Sequence, residues 1–305
     1  MMWVPRIFYA LIIAPVLYLS ACEPNTPFML EQPEAEEEPL NLLEGSADHV
    51  IQASAGGGHS CYLKADNQVQ CEGSNLFGQL DLPAGFYREV SAGGLHTCAI
   101  TITGETVCVG DNAAGQAPKQ LDLQLSTLSS GAFHTCGIDE NQQIHCFGSD
   151  MFHQASPPSE GQFSSVTAGG FHTCALSING TVTCFGDNSR GQSSPPPKIK
   201  FKSISAGYDH TCGIDFTNKL HCFGEASLDR MPLAQDVEYQ SVSAGGFHTC
   251  AISLSGSTHC FGQTVSDGVF SHSDIKSITS GMFRSCGIDN NHKLVCSTPK
   301  MTGPT

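Results

Sequence analysis

Beyond residue 50 the apolar and polar positions alternate with a period of two, in short runs broken by glycine. Val90-Ser91-Ala92 stands before one glycine pair and Thr97-Cys98-Ala99-Ile100-Thr101 after it, the signature of short half-buried strands. A third run follows a turn, as in Gly104-Glu105-Thr106-Val107-Cys108 or Gly180-Thr181-Val182-Thr183-Cys184. There glycine or Asp/Asn supplies a tight reversal. Each unit therefore reads strand, glycine loop, strand, hairpin turn, strand.

The unit recurs seven times. The loops SAGGGHSC, SAGGLHTC, SSGAFHTC, TAGGFHTC, SAGYDHTC, SAGGFHTC and TSGMFRSC end at Cys61, Cys98, Cys136, Cys174, Cys212, Cys250 and Cys286, at spacings of 37, 38, 38, 38, 38 and 36 residues. A fixed period of this size marks a repeat architecture. Small antiparallel sheets of about forty residues bury both faces by packing radially on their neighbours. The expectation is an all-β, seven-bladed β-propeller with short three- to four-stranded blades over residues 51–300, followed by a tail at 301–305. The sequence leaves open whether the first and last blades share strands.

The N-terminal fifty residues do not follow this pattern. Arg6 precedes an apolar run from Ile7 to Ala21, short for a bilayer span and of the right length for a signal-peptide core. The run ends Leu19-Ser20-Ala21-Cys22, which resembles the bacterial lipobox. Residues 1–21 are thus expected to be removed and Cys22 to be acylated. Glu23 rather than Asp follows, which favours the outer membrane by analogy with lipoprotein sorting. Residues 22–50 are rich in Pro and Glu, without Lys or Arg, and read as a charge-extended flexible tether.

Charge narrows the partners. The chain carries 14 Lys+Arg against 29 Asp+Glu, a formal net charge of −15, which disfavours nucleic acid because such binding rests on cations releasing counterions. Eight of the acids precede residue 51, so the folded body is only moderately acidic.

The glycine loop with its His, the hairpin, and then Phe185-Gly186-Asp187-Asn188 through Gly191-Gln192 together resemble the repeat of the regulator of chromosome condensation family. The short period is most similar to its bacterial branch, which includes the secreted β-lactamase-inhibitor propeller with three-stranded blades. The resemblance covers residues 51 to about 300 and implies a protein-binding propeller. The G-D-N-x-x-G-Q segment is intact at 110–116 and 186–192, altered at 73–79 and 148–154, and lost after Gly224 and Gly262. The seventh unit lacks it too, and has Arg284 where the others have His.

Fifteen cysteines point to an oxidising compartment once a signal peptide is read. Each unit has a second cysteine ten positions after the first: Cys71, Cys108, Cys146, Cys184, Cys222, Cys260 and Cys296. With the hairpin centred midway, the two face each other across adjacent strands. The expected bridges are therefore intrablade. Metal is the competing reading, but C-x-x-C spacing is absent, and no metal or cofactor is expected.

His59, His96, His134, His172, His210 and His248 recur at one position. Such a ring invites metal or proton-transfer chemistry. The plainer expectation is that each fixes its loop by hydrogen-bonding neighbouring backbone. No G-x-S-x-G elbow, H-E-x-x-H or phosphate loop occurs, and no catalytic residue is assigned.

Before each His position stands a variable residue. Leu95, Phe133, Phe171, Tyr208 (next to Asp209), Phe247 and Phe283 are the candidate partner-binding set, Gly58 being the odd member. They serve either as interface anchors or as filling between blades.

The functional expectation is a membrane-tethered, extracytoplasmic, monomeric scaffold that binds another exported protein and in its narrowest form inhibits an exported enzyme. The alternative is an enzyme or carbohydrate-processing site on one end, built on carboxylates such as Asp209 with Asp229 or Asp236. Guanine-nucleotide exchange, known for eukaryotic members, is disfavoured by the signal peptide.

Overall fold

The computed structural model describes residues 48–119, 121, 123–225, 236–262, 270 and 274–297. The signal segment, the tether up to residue 47 with Cys22, Asp229 and the C-terminal tail lie outside the described residues. Among those described there is no helix, and the strands form seven three-stranded antiparallel sheets, each from one repeat unit. In blade 2 the inner strand is Tyr87–Ala92, the middle strand His96–Thr101 and the outer strand Thr106–Gly110.

Inner strands run toward the glycine loops, which gather around the axis at one end, here termed the mouth. The hairpins between middle and outer strands lie at the opposite, turn end. The blades close into a ring without sharing strands: blade 7 is complete in itself, at Ile275–Ser280, Ser285–Asp289 and Leu294–Cys296, and abuts blade 1.

Three sets of hydrogen bonds run round the ring, and all three continue across the seam between blades 7 and 1. At the mouth the second loop residue of each blade donates its N–H to the first glycine carbonyl of the next. The bonds run from Gly57 to Gly93, Gly94 to Gly131, Ala132 to Gly169, Gly170 to Gly207, Tyr208 to Gly245, Gly246 to Gly281 and Met282 to Gly56, at 3.0–3.1 Å. This contact demands glycine. A Cβ on Gly169 would lie 2.4 Å from the Gly207 oxygen and 2.5 Å from the His172 ring.

One step outward, a Ser or Thr hydroxyl of each inner strand accepts the N–H ending the neighbouring one. Examples are Ala92 N–H to Ser54 Oγ at 2.9 Å, Ala206 to Thr167 at 2.9 Å and, at the closing seam, Ala55 to Thr279 at 3.3 Å. At the turn end of five seams, the first N–H of an inner strand bonds the hairpin carbonyl of the previous blade, as Tyr87 does with Asn67 (2.7 Å) and Val50 with His292 (2.9 Å). Those hairpin residues have positive φ, 64° at Asn67 and 61° at His292. Asn tolerates that region better than most side chains.

The core lies in the seams between blades. The first residue of each inner strand is large, apolar and buried, and a bulge at the next position displaces it from regular register. Phe201 of blade 5 thus packs on Cys174, Leu176 and Val182 of blade 4, while Tyr87 of blade 2 packs on Cys61 and Leu63 of blade 1. In five seams the core cluster sets one blade's disulfide against its neighbour's inner strand.

Directly opposed cysteines, such as Cys98 and Cys108, stand at Cα separations of 4.0–4.1 Å. The structure joins all seven intrablade pairs, from Cys61–Cys71 to Cys286–Cys296.

Gly169→Ala is expected to lower unfolding stability by about 2 kcal/mol, the cost of forcing a side chain into a filled contact. Gly58→Ala, where the new Cβ meets only Ser74 Cβ at 3.5 Å, should change stability by less than about 0.5 kcal/mol. Chemical denaturation of the two variants checks both values.

Candidate binding surface at the mouth

The axial opening at the mouth is a shallow cavity of about 90 Å³ lined by the Ala-Gly-Gly segments, with Tyr208 and Met282 its only large side chains. Around it stand the residues that precede the His positions. Leu95, Phe133, Phe171, Tyr208 and Phe247 are half-buried, and Phe283 is exposed. They are therefore neither free anchors nor core. The rings stack on one another across blade boundaries: Phe133 on Phe171 with centroids 5.1 Å apart, Tyr208 edge-on to Phe171 at 5.7 Å, and Phe247 on Phe283 at 5.7 Å. Packing of one blade on the next fixes the rings, while their outer faces remain accessible.

The structure adds residues that the repeat pattern did not single out. Phe152 lies edge-on to Phe171 at 5.3 Å, so Phe171 is the hub of a four-ring cluster spanning blades 3 to 5. Beside it Met151 is 81% exposed, and over the blade 1–2 boundary Leu76 is 88% exposed with Phe77 next to it. All four occupy the variable pair of the G-D-N-x-x-G-Q segment. The intact copies carry Ala113-Ala114 and Ser189-Arg190, whereas the altered ones carry Leu76-Phe77 and Met151-Phe152. The signal lay in what replaced the motif rather than in its loss.

These connecting loops are well anchored. Gln116 and Gln192 are buried, and each donates Nε2–H to Asp111 or Asp187 at 2.8 Å. Their side-chain oxygens accept Ala114 N–H and Arg190 N–H. In the altered loops Gln79 and Gln154 likewise accept Phe77 and Phe152 N–H at 2.9 and 2.8 Å, although Gln79 Nε2 has no hydrogen-bond partner, so the apolar pair stands on the same turn. The mouth also carries Asp150, Asp187, Asp209, Glu72 and Glu225, with Arg190 and Arg284 paired to Glu225 and Glu72.

The six histidines are fully buried and take a different partner from the backbone expected of them. Each Nε2 lies 2.7–2.8 Å from a hydroxyl of the next blade: His59 to Thr97, His96 to Thr135, His134 to Thr173, His172 to Thr211, His210 to Thr249 and His248 to Ser285. Thr97, Thr135, Thr173 and Thr211 donate their own protons to the carbonyls of Gln79, Gln116, Gln154 and Gln192. Their oxygens must therefore accept, which places the imidazole proton on Nε2. Nδ1 of His59, His96, His134 and His172 is buried without a hydrogen-bond partner, as a neutral ring permits.

Burial holds the pKa values of His96 and His172 down at about 3, with further repulsion from neighbouring histidines, and that of His134 at about 4. His59, depressed by burial and then by the Arg284 charge, also falls to about 4. The ring is structural. At the seventh position Arg284 instead bonds Glu72 of blade 1 through Nη2 at 2.7 Å.

Among the described residues no three His, Cys, Asp or Glu side chains gather as a metal site. Asp209 and Asp236 do not form the carboxylate pair considered for catalysis, and Asp229, the other candidate, lies outside the described residues. Asp209 sits at the mouth beside His210 (3.9 Å), whereas Asp236 precedes the inner strand Tyr239–Ala244, which starts at the turn end.

The profile of the regulator of chromosome condensation (RCC1) repeat matches residues 50–79, 87–116, 163–192 and 201–227. The chain carries RCC1 repeats. No curated protein matches it significantly.

Among solved structures, the RCC1-type propeller is similar to the ectodomain of the receptor kinase CR4 from Physcomitrella patens. That match has TM-score 0.71 and 24% identity, covering 84% of this chain and 76% of the other. The CRINKLY WD40 ectodomain of the receptor kinase ACR4 from Arabidopsis thaliana gives 0.70 and 25%, covering 84% and 99%. Prp20p from Saccharomyces cerevisiae, described with its binding to Gsp1p and histones, gives 0.67 and 14%, covering 83% of each chain.

The buried histidines generate a pH prediction. The folded pKa values of His59, His96, His134 and His172 lie below the unfolded value of about 6.5, so the unfolded chain binds more protons below that pH. Their contribution is complete above about pH 6.5 and is lost as pH falls toward 4. Each costs about 1.4 kcal/mol per pH unit in that window. Calorimetry between pH 7.5 and 4.5 should show a falling melting temperature, and His172→Gln should flatten the slope by about one proton.

Proposed function

We propose that this propeller is an extracytoplasmic scaffold, tethered to the membrane through acylated Cys22, which binds another exported protein at its mouth. Inhibition of an exported enzyme is the narrowest form of that activity. The observation that carries the reading is the ring cluster around Phe171, with Met151 and Phe152 exposed beside it. Aromatic groups held by their neighbours lose little freedom on binding and dominate interface energies. Contiguous exposed apolar surface on a soluble body marks an interaction site.

Seven disulfides support an oxidising, extracytoplasmic compartment. Two of the similar propellers are receptor-kinase ectodomains. Propellers of this fold also bind proteins, as yeast RCC1 does in its complex with Kap60.

A photoreactive benzophenone side chain placed at Met151 or Phe283 in intact cells should give one discrete cross-linked product, and the same group at Leu254 on the turn end should not. Phe152→Ala should weaken capture of that product's partner by about 2 kcal/mol, the size of an interface hot spot. Its melting temperature should stay within a few degrees of the parent. Equal cross-linking from both ends would contradict the reading.

The tether is checked separately. Mass spectrometry of the mature N-terminus is expected to show acyl chains on Cys22, and Cys22→Ser should move the protein from the detergent phase to the soluble fraction. A protein that remains soluble with unmodified Cys22 contradicts that part alone.

A further inference from the structure

The turn end carries a second surface that the protein-binding reading does not use. The residue just past the middle strand stands at a hairpin tip, where turns favour small polar residues. In blades 2, 4, 5 and 6 it is Ile102, Ile178, Phe216 and Leu254, each 51–65% exposed. None belongs to a core cluster.

Positive charge gathers in the same sector. Lys198, Lys200, Lys202 and Lys219 are exposed at the turn end of blades 4 and 5. Lys200 Nζ reaches Thr181 Oγ1 in the blade 4 hairpin, and Lys202 Nζ reaches Asn218 Oδ1 in the blade 5 hairpin. The Phe216 ring lies over the blade 4 turn beside Lys200: a Cβ on Gly180 would be 2.8 Å from Phe216 Cε2 and 3.4 Å from Lys200 Cβ. Exposed Glu160, Asp236 and Glu238 border this patch from the neighbouring blades, and within residues 177–221 the one acid at this end is Asp215. Its carboxylate is engaged by the Thr217 and Lys219 amides and by His221 at 2.8 Å.

The chain also enters the propeller at this end. Val50 opens the first inner strand opposite Lys64, and His49 stacks on His292 of the blade 7 hairpin. The tether and Cys22 precede this point.

We propose that the turn end rests on an anionic phospholipid surface, with Ile178 and Phe216 entering the headgroup layer and Lys198, Lys200, Lys202 and Lys219 pairing with lipid phosphates. The orientation rests on the tether reading. It leaves the aromatic mouth facing away from the membrane, open to a partner. The net negative charge of the chain does not prevent this contact, because charges beyond about 8 Å are screened at physiological salt and the nearest ones decide. Juxtamembrane lysines with neighbouring apolar side chains are the usual composition of such contacts.

The test uses the exported chain with Cys22→Ser, which carries no acyl group, sedimented with phosphatidylethanolamine vesicles containing about 30% phosphatidylglycerol. Binding is expected, with loss in about 0.5 M NaCl. The triple variant Lys198→Glu, Lys200→Glu, Lys202→Glu should weaken it at least about tenfold, and Phe216→Ser severalfold. Both variants should melt as the parent does, since all four side chains are exposed. Absence of binding, equal binding to phosphatidylcholine vesicles, or binding indifferent to both variants overturns the proposal. Retention on heparin without vesicle binding also overturns it and assigns the lysines to a soluble polyanion. Acylated wild-type protein whose Cys22→Ser form ignores vesicles refutes the lipid-facing end and leaves the tether standing. Unacylated Cys22 with vesicle binding refutes the tether alone.

Discussion

The fold depends on how closely neighbouring glycine loops approach at the mouth. Each blade donates one backbone N–H to the next blade's glycine carbonyl, and the seventh returns to the first. At that distance the first glycine has no room for a side chain, because the neighbouring oxygen and its own unit's imidazole already occupy the space. Once the loops are set, the inner-strand hydroxyl bonds and the His–Thr bonds fall into place at larger radius. A three-stranded blade is too small to be stable by itself. The ring couples seven of them, and a disulfide staples each one locally.

This constraint explains what could be read in the sequence. Glycine, His and Cys stand at positions where one geometry must recur, so they repeat, and their spacing yields the blade number, the strand order and the cysteine pairs. The partner of each His was not legible. The hydroxyl that receives its proton belongs to the next unit, 37 to 39 residues away, and nothing in a single repeat distinguishes that bond from one to local backbone. The closing seam was illegible for a similar reason. Arg284 reads as a departure from His, yet its partner Glu72 lies 212 positions distant and acquires meaning only once the ring is closed.

The candidate surfaces obey the opposite rule. Positions facing solvent at the mouth are free of the ring's geometry, and there the repeats diverge: Gly58, Leu95, Phe133, Asp209 at one site, and Leu76-Phe77 or Met151-Phe152 against Ala113-Ala114 at another. The loop beneath the second site keeps its buried Gln in all four copies, so side chains change while their platform does not. Aromatic choice at the rim was visible in the sequence because it sits beside a His that recurs in six of the seven units. The loop pair was hidden because the altered copies read as a weakened motif, although their new residues are large and apolar.

The seam between blades 7 and 1 shows how the ring tolerates its one irregular joint. No polypeptide connects these blades directly, and the buried neutral His–Thr bond is replaced by an Arg–Glu pair with the carboxylate side chain half exposed. An exposed pair is worth less than a kcal/mol and weakens with salt, so it cannot by itself stand in for a chain connection. The backbone bonds do that work instead. Met282 to Gly56 and Val50 to His292 repeat the geometry found at other seams, and Thr279 still receives Ala55, at the longest distance of its set. The imidazole ring is therefore dispensable at one seam in seven, whereas the glycine contact is kept at all of them, which ranks the two constraints in the order the fold needs them.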